Sequence, residues 1–334
     1  MVKRDRPTDE FIELFKLSGS ADKPIAIAAQ REIAKAIETP LRKGTMFGDV
    51  VSGIFNTDVL EPNANAEYPL DLLAPGTEGQ HVAYTNPGHG RIPERTLESD
   101  YTMVHTYGIA SSIDFLLKYA AQAKWNVLAR AMEVLEGSFV KKINDDGWHT
   151  LLAAAVDRNI LVYDADAAAS QLTKRLISLM KTLVRRNSGG NGSTSTGRLT
   201  DIYTSPEGIE DIRNWGIDQL DEVSRRELYL SSDDGAPLSR IYGVNIHDLF
   251  EFGDGQEYQD YFINDLGGSL GSGDTELIIG IDQTSNDSFI MPVKSKVEIF
   301  EDETLHRQQR QGYYGWAEIG FGVLDSRRII AASF

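Results

Sequence analysis

From Leu117 onward, apolar residues return at helical spacing: Leu117, Ala121, Trp125, Leu128, Met132, Leu135, Phe139 and Ile143. Steps of three and four keep them on one face and predict an amphipathic helix over about 113–144. Ser111, with Asp114 three residues on, has the form of a capping box ahead of it. Asp145-Asp146-Gly147 is the expected stop, with Gly147 in the left-handed cap. A helix of that span is roughly 50 Å long, far above the usual length, and needs a long partner.

Period-two alternation marks the strands. In YTMVHTYGIA (101–110), Met103, His105, Tyr107 and Ile109 share a face. In the closing stretch GYYGWAEIGFGVLDSRRIIAASF, Tyr313, Ala317, Ile319, Phe321 and Val323 share one face, and Trp316 shares the other with Gly320 and Gly322. Glycines on that second face predict a close approach by the long helix. Asp325-Ser-Arg-Arg is the expected turn, after which IIAASF runs back beside the preceding strand. Both closing strands would then complete the sheet begun at 101–110.

Between these parts lies a mixed middle. A helix is predicted from Asp166 to Asn187, with Asp164 and Asp166 at its start and Arg185 and Arg186 at its end, as the helix dipole favours. SGGNGSTSTG (188–197) reads as a flexible loop. RLTDIYT reads as a strand, followed by a short helix with Ser205 as N-cap and Pro206 in first position. Residues 239–252 and the runs LIIGI, FIMPV and VEIFE are further strands, and 253–275 is rich in loop residues. The middle, about 151–290, reads as an insertion into the unit that contains the long helix.

The first hundred residues have a different texture. Residues 9–38 are helix-compatible and end at Thr39-Pro40, because the residue before proline is pushed out of the α region. An extended arm follows. Residues 62–100 hold five of the chain's 11 prolines and few clustered apolar groups. A loop this long with no core of its own is functional or is stabilised from outside the chain. QHVAY could pair with RIPERTLE across NPGHG, and an isolated hairpin of that kind leans on a neighbour.

Composition narrows the classes. The chain has 334 residues, 41% hydrophobic and 25% charged, an ordinary globular balance. No apolar run approaches the roughly 20 residues that span a bilayer, and MVKRDRPTDEFIELF lacks the apolar core of a signal peptide. With no cysteine, disulfides, zinc–thiolate sites and thiol catalysis are excluded. The formal charge is −17, from 50 acidic and 33 basic residues, so the surface as a whole is repelled by nucleic-acid phosphates.

Motifs of chemistry are missing. The phosphate-loop pattern is absent, and GGSLGSGDT (267–275) has no Lys and does not lead from a strand into a helix. Its one G-x-S-x-G match, Gly267 to Gly271, lacks the strand-to-helix flanks of a nucleophile elbow. The histidines at 81, 89, 105, 149, 247 and 306 include no pair at i, i+4. His81 and His89 flank a turn without a third ligand. The acidic groups Asp164/Asp166, Asp233-Asp234 and Glu301-Asp302-Glu303 are expected at this acidity. No catalytic, cofactor-binding or metal-binding residue is assigned, and no cofactor is expected.

An arm, a proline-rich excursion, a strand, a very long helix, a mixed middle and closing strands form an order that resembles a known family. RIPERTLESDYTMVHTYGIASSIDFLLKYA, LTDIYTSPEGIEDIRNW, RIYGVNI and the stretch from LIIGID through VEIFEDETLHRQQRQGYYGWAEIGFGVLDSRRIIAAS resemble, in order and spacing, tailed-bacteriophage major capsid proteins of the Hong Kong 97-type fold. The resemblance implies an α+β fold with an N-terminal arm (1–58), an extended loop (59–102), a peripheral domain with a long spine helix (103–150 and 291–334, helix 113–144) and an axial domain (151–290).

It further implies a structural protein, not an enzyme, that self-assembles through hexamers and pentamers into an icosahedral shell around double-stranded DNA, bound without sequence specificity. The expected location is the virion, with assembly in the host bacterial cytoplasm and no membrane partner. Only 39 residues precede Pro40, too few for an internal scaffold, so a separate scaffolding protein is expected. No Lys occurs between Lys43 and Lys118, so covalent cross-linking through a loop Lys is not expected, and non-covalent contacts or a cement protein supply shell strength. Arg91, Glu94, Arg95 and Glu98 are the candidate inter-subunit contacts. The alternatives are an encapsulin-type cellular compartment and an α/β enzyme with an unrecognised site.

Overall fold

A computed structural model of the chain describes residues 17, 29, 50–69, 101–116, 125–167, 170–187, 197–215, 238–285 and 287–334. The predicted helix over 9–38, the hairpin over 80–98 and the 188–197 loop lie essentially outside these residues. In chain order the elements are α1 (Val50–Ile54), β1 (Asn56–Val59), β2 (Glu67–Pro69), β3 (Tyr101–Met103), β4 (Tyr107–Leu116), α2 (Trp125–Asp157), β5 (Leu161–Val162) and α3 (Lys174–Asn187). Next come β6 (Asp201–Thr204), α4 (Pro206–Asn214), β7 (Leu238–Ile241), β8 (Val244–Asp248) and α5 (Glu257–Asp260). The chain closes with β9 (Leu277–Ile281), β10 (Phe289–Glu301), β11 (Arg310–Ile319), β12 (Gly322–Val323) and β13 (Ile329–Ser333). The fold class is α+β. Two compact units divide the chain, one from Thr57–Ile143 and Met291–Leu324, the other from Asn144–Ile290 and Asp325–Phe334 with Gly53–Asn56.

In the first unit the sheet order is β1-β10-β11-β4, with β12 paired to β10. β11 and β4 are antiparallel over ten residue pairs, from Arg310↔Leu116 to Ile319↔Tyr107. The expected pairing of the 312–323 stretch with the strand before the long helix is therefore present. Tyr313, Ala317 and Ile319 face inward and are buried, as are Leu135, Phe139 and Ile143 of the helical stripe. Glycine admits the helix, but on the opposite face from the expected one. A Cβ on Gly315 would lie 3.3 Å from the Phe139 ring, whereas Trp316 is exposed.

Two boundaries near α2 differ from the sequence reading. β4 continues through Leu116, so Ser111 and Asp114 are strand residues and no capping box forms there. Ser111 Oγ instead meets Ser138 Oγ at 2.9 Å. At its other end α2 runs through Gly147 to Asp157. Trp148, Leu151, Leu152 and Ala155 prolong the apolar face and are almost wholly buried. Burying them outweighs the penalty of about 1 kcal/mol for an interior glycine.

The second unit holds a six-stranded sheet in the order β5-β13-β9-β6-β8-β7. β13 is parallel to β5 and antiparallel to β9, with Ile329 opposite Ile281 and Ser333 opposite Leu277. The IIAASF run therefore does not return beside β11, and the assignment of all of 291–334 to one domain is corrected for 325–334. Ile329, Ile330, Ala331 and Ala332 are all buried. A continuous apolar run suits a central strand covered on both faces, not the edge of a sheet with one solvated face.

α3 lies on this sheet through Leu176, Ile177, Met180 and Val184. A Cβ on Gly280 would come within 2.9 Å of Leu199, Met180 and Ile330 side-chain atoms, so glycine is what allows this packing. α3 begins at Lys174 and not at Asp166, which corrects the predicted start. Thr173 Oγ1 accepts from the Leu176 N–H at 3.2 Å and donates to Asp164 at 2.8 Å, while Arg185 and Arg186 fill the last turn as expected. α4 has the predicted Ser205 cap, whose hydroxyl accepts from the Gly208 N–H. FIMPV and VEIFE form one strand, β10. The loop-rich 253–275 stretch carries α5 and a π-helical turn.

Candidate functional site

The described residues show no catalytic constellation. The most organised polar group is in the second unit. The buried Asp201 carboxylate accepts from Asn245 Nδ2 and pairs with His247 Nε2, both at 2.9 Å. The His247 ring stacks on Tyr203 at 4.8 Å, and Trp148 meets Tyr203 edge-on. Burial pushes the Asp201 carboxyl up, but bonds from His247, Asn245 and Thr200 outweigh it and hold it below the usual range. The one hydroxyl described against the Asp201 carboxylate, that of Thr200, is also tied to the Ile281 carbonyl and the Gln283 N–H. The Asp201–His247 pair ties β6 to β8.

The other motifs resolve as structural. The Gly267–Gly271 match lies in a loop between a π turn and β9, and the Gly271 N–H donates to Ser333 Oγ at 2.9 Å. It is neither an elbow nor a phosphate cradle. Asp164 and Asp166 bind Thr173 and Arg175, and Asp302 caps Thr304. His149 stacks on Tyr261. Among the described residues no three His, Cys, Asp or Glu side chains converge as metal ligands. No helix there is long and apolar enough to cross a membrane. His81, His89, Asp233 and Asp234 lie outside the described residues, as do the inter-subunit candidates Arg91, Glu94, Arg95 and Glu98.

One surface feature stands out. On the solvent side of the first sheet, Phe300 of β10 pairs with Tyr314 of β11. Their rings stack at 5.7 Å, and Trp316 meets Phe300 edge-on at 5.9 Å. The three are 37%, 41% and 55% exposed, which makes a contiguous aromatic ridge and not scattered apolar residues. Alternation along β11 produces it: Tyr314 and Trp316 point outward and Tyr313, Gly315 and Ala317 inward. Charged groups frame the ridge. Arg310 pairs with Asp114 at 3.0 Å, and Glu318 accepts from Thr106 and pairs with Lys294. An apolar centre with a polar rim is the anatomy of a protein–protein contact.

The sequence reading turned Trp316 inward. The contrary signal was present, since Arg310 and Glu318 share its parity along the strand and mark that face as solvated.

No family model and no curated protein matches the sequence. Solved structures do match in fold. They include the capsid asymmetric unit of cyanophage Pam1 (12% identity, TM-score 0.56, 84% of this chain and 88% of that one). The capsid structure of cyanophage P-SCSP1u matches at 10% identity and TM-score 0.55 over 86% and 87% of the two chains. The acid-stable capsid structure of Helicobacter pylori bacteriophage KHP30 matches at 9% identity and TM-score 0.54 over 86% and 91%. The chain has the fold of these phage capsid structures.

Proposed function

We propose that the chain is a phage major capsid protein, a structural subunit that assembles with copies of itself into an icosahedral shell around double-stranded DNA. The carrying observation is the extent of the fold likeness, at least 84% of this chain and at least 87% of each capsid chain compared. The exposed aromatic ridge supports it as a surface made for contact. The lack of a catalytic constellation among the described residues fits a shell role.

On this reading the first unit takes the peripheral role, with the part of α2 through Ile143 as its spine. The second unit takes the axial role at the five- and six-fold centres. Residues 1–58 serve as the arm and 59–102 as a loop lying across a neighbouring subunit, where Arg91, Glu94, Arg95 and Glu98 form ion pairs. A separate scaffolding protein guides assembly and a cement protein braces the shell in place of lysine cross-links. Net charge of −17 keeps packaged DNA from adhering to the inner wall.

Electron microscopy of the full-length chain, expressed alone and with its scaffold, tests the proposal. Closed shells that fill with DNA in the infected host support it. Small shells, empty or enzyme-filled, point to a cellular compartment, and a monodisperse small oligomer under all conditions overturns the shell reading. Deleting residues 70–98 leaves a soluble chain that makes no shells. Normal shells from that deletion refute the loop assignment.

A further inference from the structure

The second unit contains a buried acid with half of its carboxylate uncompensated. Glu276, just before β9, is 7% exposed, and its Oε2 has no hydrogen-bond partner among the described residues. Around it stand the Ser205 hydroxyl at the α4 cap and the Asp254 N–H, both favouring the ionised form, and the carboxylates of Glu207 and Asp254, both opposing it. Burial is the largest influence and, with those two charges, pushes the carboxyl above its ordinary range. Among the described residues no basic side chain is among the groups acting on it. A buried carboxylate oxygen without a donor or counter-charge is costly unless something supplies one.

The geometry indicates where the counter-charge goes. Gly253 is buried with φ +131°, so its backbone takes a course open to glycine. The point where a Cβ would project from it is 3.5 Å from Glu276 Oε2, 3.6 Å from Glu207 Oε2 and 3.5 Å from Gln256 Cγ. Both oxygens thus border the small space over Gly253, with the Gln256 stem as a third wall. Glu207 is exposed, so the space has a route to solvent.

We propose that Glu276 and Glu207 bind a hard divalent cation beside Gly253, in the second unit. Two protein carboxylates are few for Ca²⁺, which takes six to eight oxygens, but suit Mg²⁺, which keeps several waters and binds through one or two carboxylates. The bound ion ties the α4 N-terminus, the 253–256 turn and the start of β9 together.

The test is calorimetric unfolding of the full-length, unassembled chain after dialysis against chelator, with MgCl₂ or CaCl₂ added and with NaCl at matched ionic strength. The expected result is an unfolding temperature raised by several degrees by millimolar Mg²⁺ and not by NaCl, in line with ligand linkage. Glu276→Gln keeps the shape, removes the charge and abolishes the rise, and Glu207→Gln weakens it. Calcium acting better than magnesium overturns the choice of ion. An unfolding temperature unmoved by either cation, or an equal rise in Glu276→Gln, overturns the site. Should Glu276→Gln not fold, an undiminished rise in Glu207→Gln overturns the two-carboxylate site. Stabilisation by acidification alone, with no cation effect at any pH, shows that the acid takes only a proton and also overturns it.

Discussion

Replacing Asp282 with alanine should be among the most damaging single changes in the second unit. The Asp282 side chain is fully buried, and its Oδ2 accepts from Arg328 Nη1 at 2.7 Å and from the Arg198 N–H at 2.8 Å. Its Oδ1 accepts from the Thr284 N–H at 2.9 Å. One carboxylate thus joins the approach to β6, the end of β9 and the approach to β13. Removing one partner of a buried ion pair costs about 3–5 kcal/mol, because the other charge stays buried without compensation. Arg328 keeps a contact to Asp325 at 3.7 Å, so the lower end, about 3 kcal/mol, is expected.

The informative variant is the double one. Asp282→Ala with Arg328→Leu removes both charges, and the residual cost is that of the Arg198 and Thr284 N–H groups left without their acceptor, about 1–3 kcal/mol for each that stays buried. The double variant should therefore be no less stable than Asp282→Ala alone, with a coupling of about 1–3 kcal/mol. Urea unfolding of unassembled subunits, followed by the fluorescence of the buried Trp148 and Trp215, reads this out. If Asp282→Ala costs less than about 1 kcal/mol, or the two single losses simply add, the buried-charge argument is wrong.

Further changes probe other links. Gly280→Ala forces a methyl against Leu199, Met180 and Ile330 and should cost about 1–3 kcal/mol by the same unfolding assay; an unchanged midpoint would show that α3 can shift freely. Trp316→Ser removes an exposed side chain, so subunit stability should hold while shell yield, followed by light scattering, falls at least severalfold; normal yield would remove the ridge from the contact. Asp201 is held below its ordinary range, so its contribution is present above the unfolded-state value near 3.9 and is lost as pH falls through the lower folded value. Asp201→Asn should therefore flatten the loss of stability on acidification below about pH 4, and a pH profile parallel to that of the unaltered protein would contradict that sign.

Much of this architecture was readable from period alone. The stripe through Leu135, Phe139 and Ile143 and the alternation in 312–319 are strong because each repeats over several turns or pleats. The Ser205-Pro206 helix start was legible because it rests on a cap chemistry that needs no tertiary partner. The misreadings fall where tertiary burial decided. Gly147 reads as a stop only until Trp148, Leu151 and Leu152 are seen to be buried beyond it. Glu276 was invisible, since neither spacing nor motif foretells that a turn at Gly253 brings it beside Glu207.

The change of sheet between β11 and β13 has a consequence for folding. The β10–β11 pairing puts Phe300, Tyr314 and Trp316 on one face, and the sheet that carries them is complete only when β11 finds β4, about two hundred residues earlier. β13, later still in the chain, supplies Ile330 and Ala332 to the second core and pairs with β9 and β5. Such pairings of distant segments form late, because loop closure precedes their reward. Neither core is therefore complete until the closing strands are made. A chain cut after Leu324 should lose the second core through loss of β13 while β4 and β11 still pair. Retention of a buried, native-like Trp215 in that truncation would show that β9 and β5 need no strand between them.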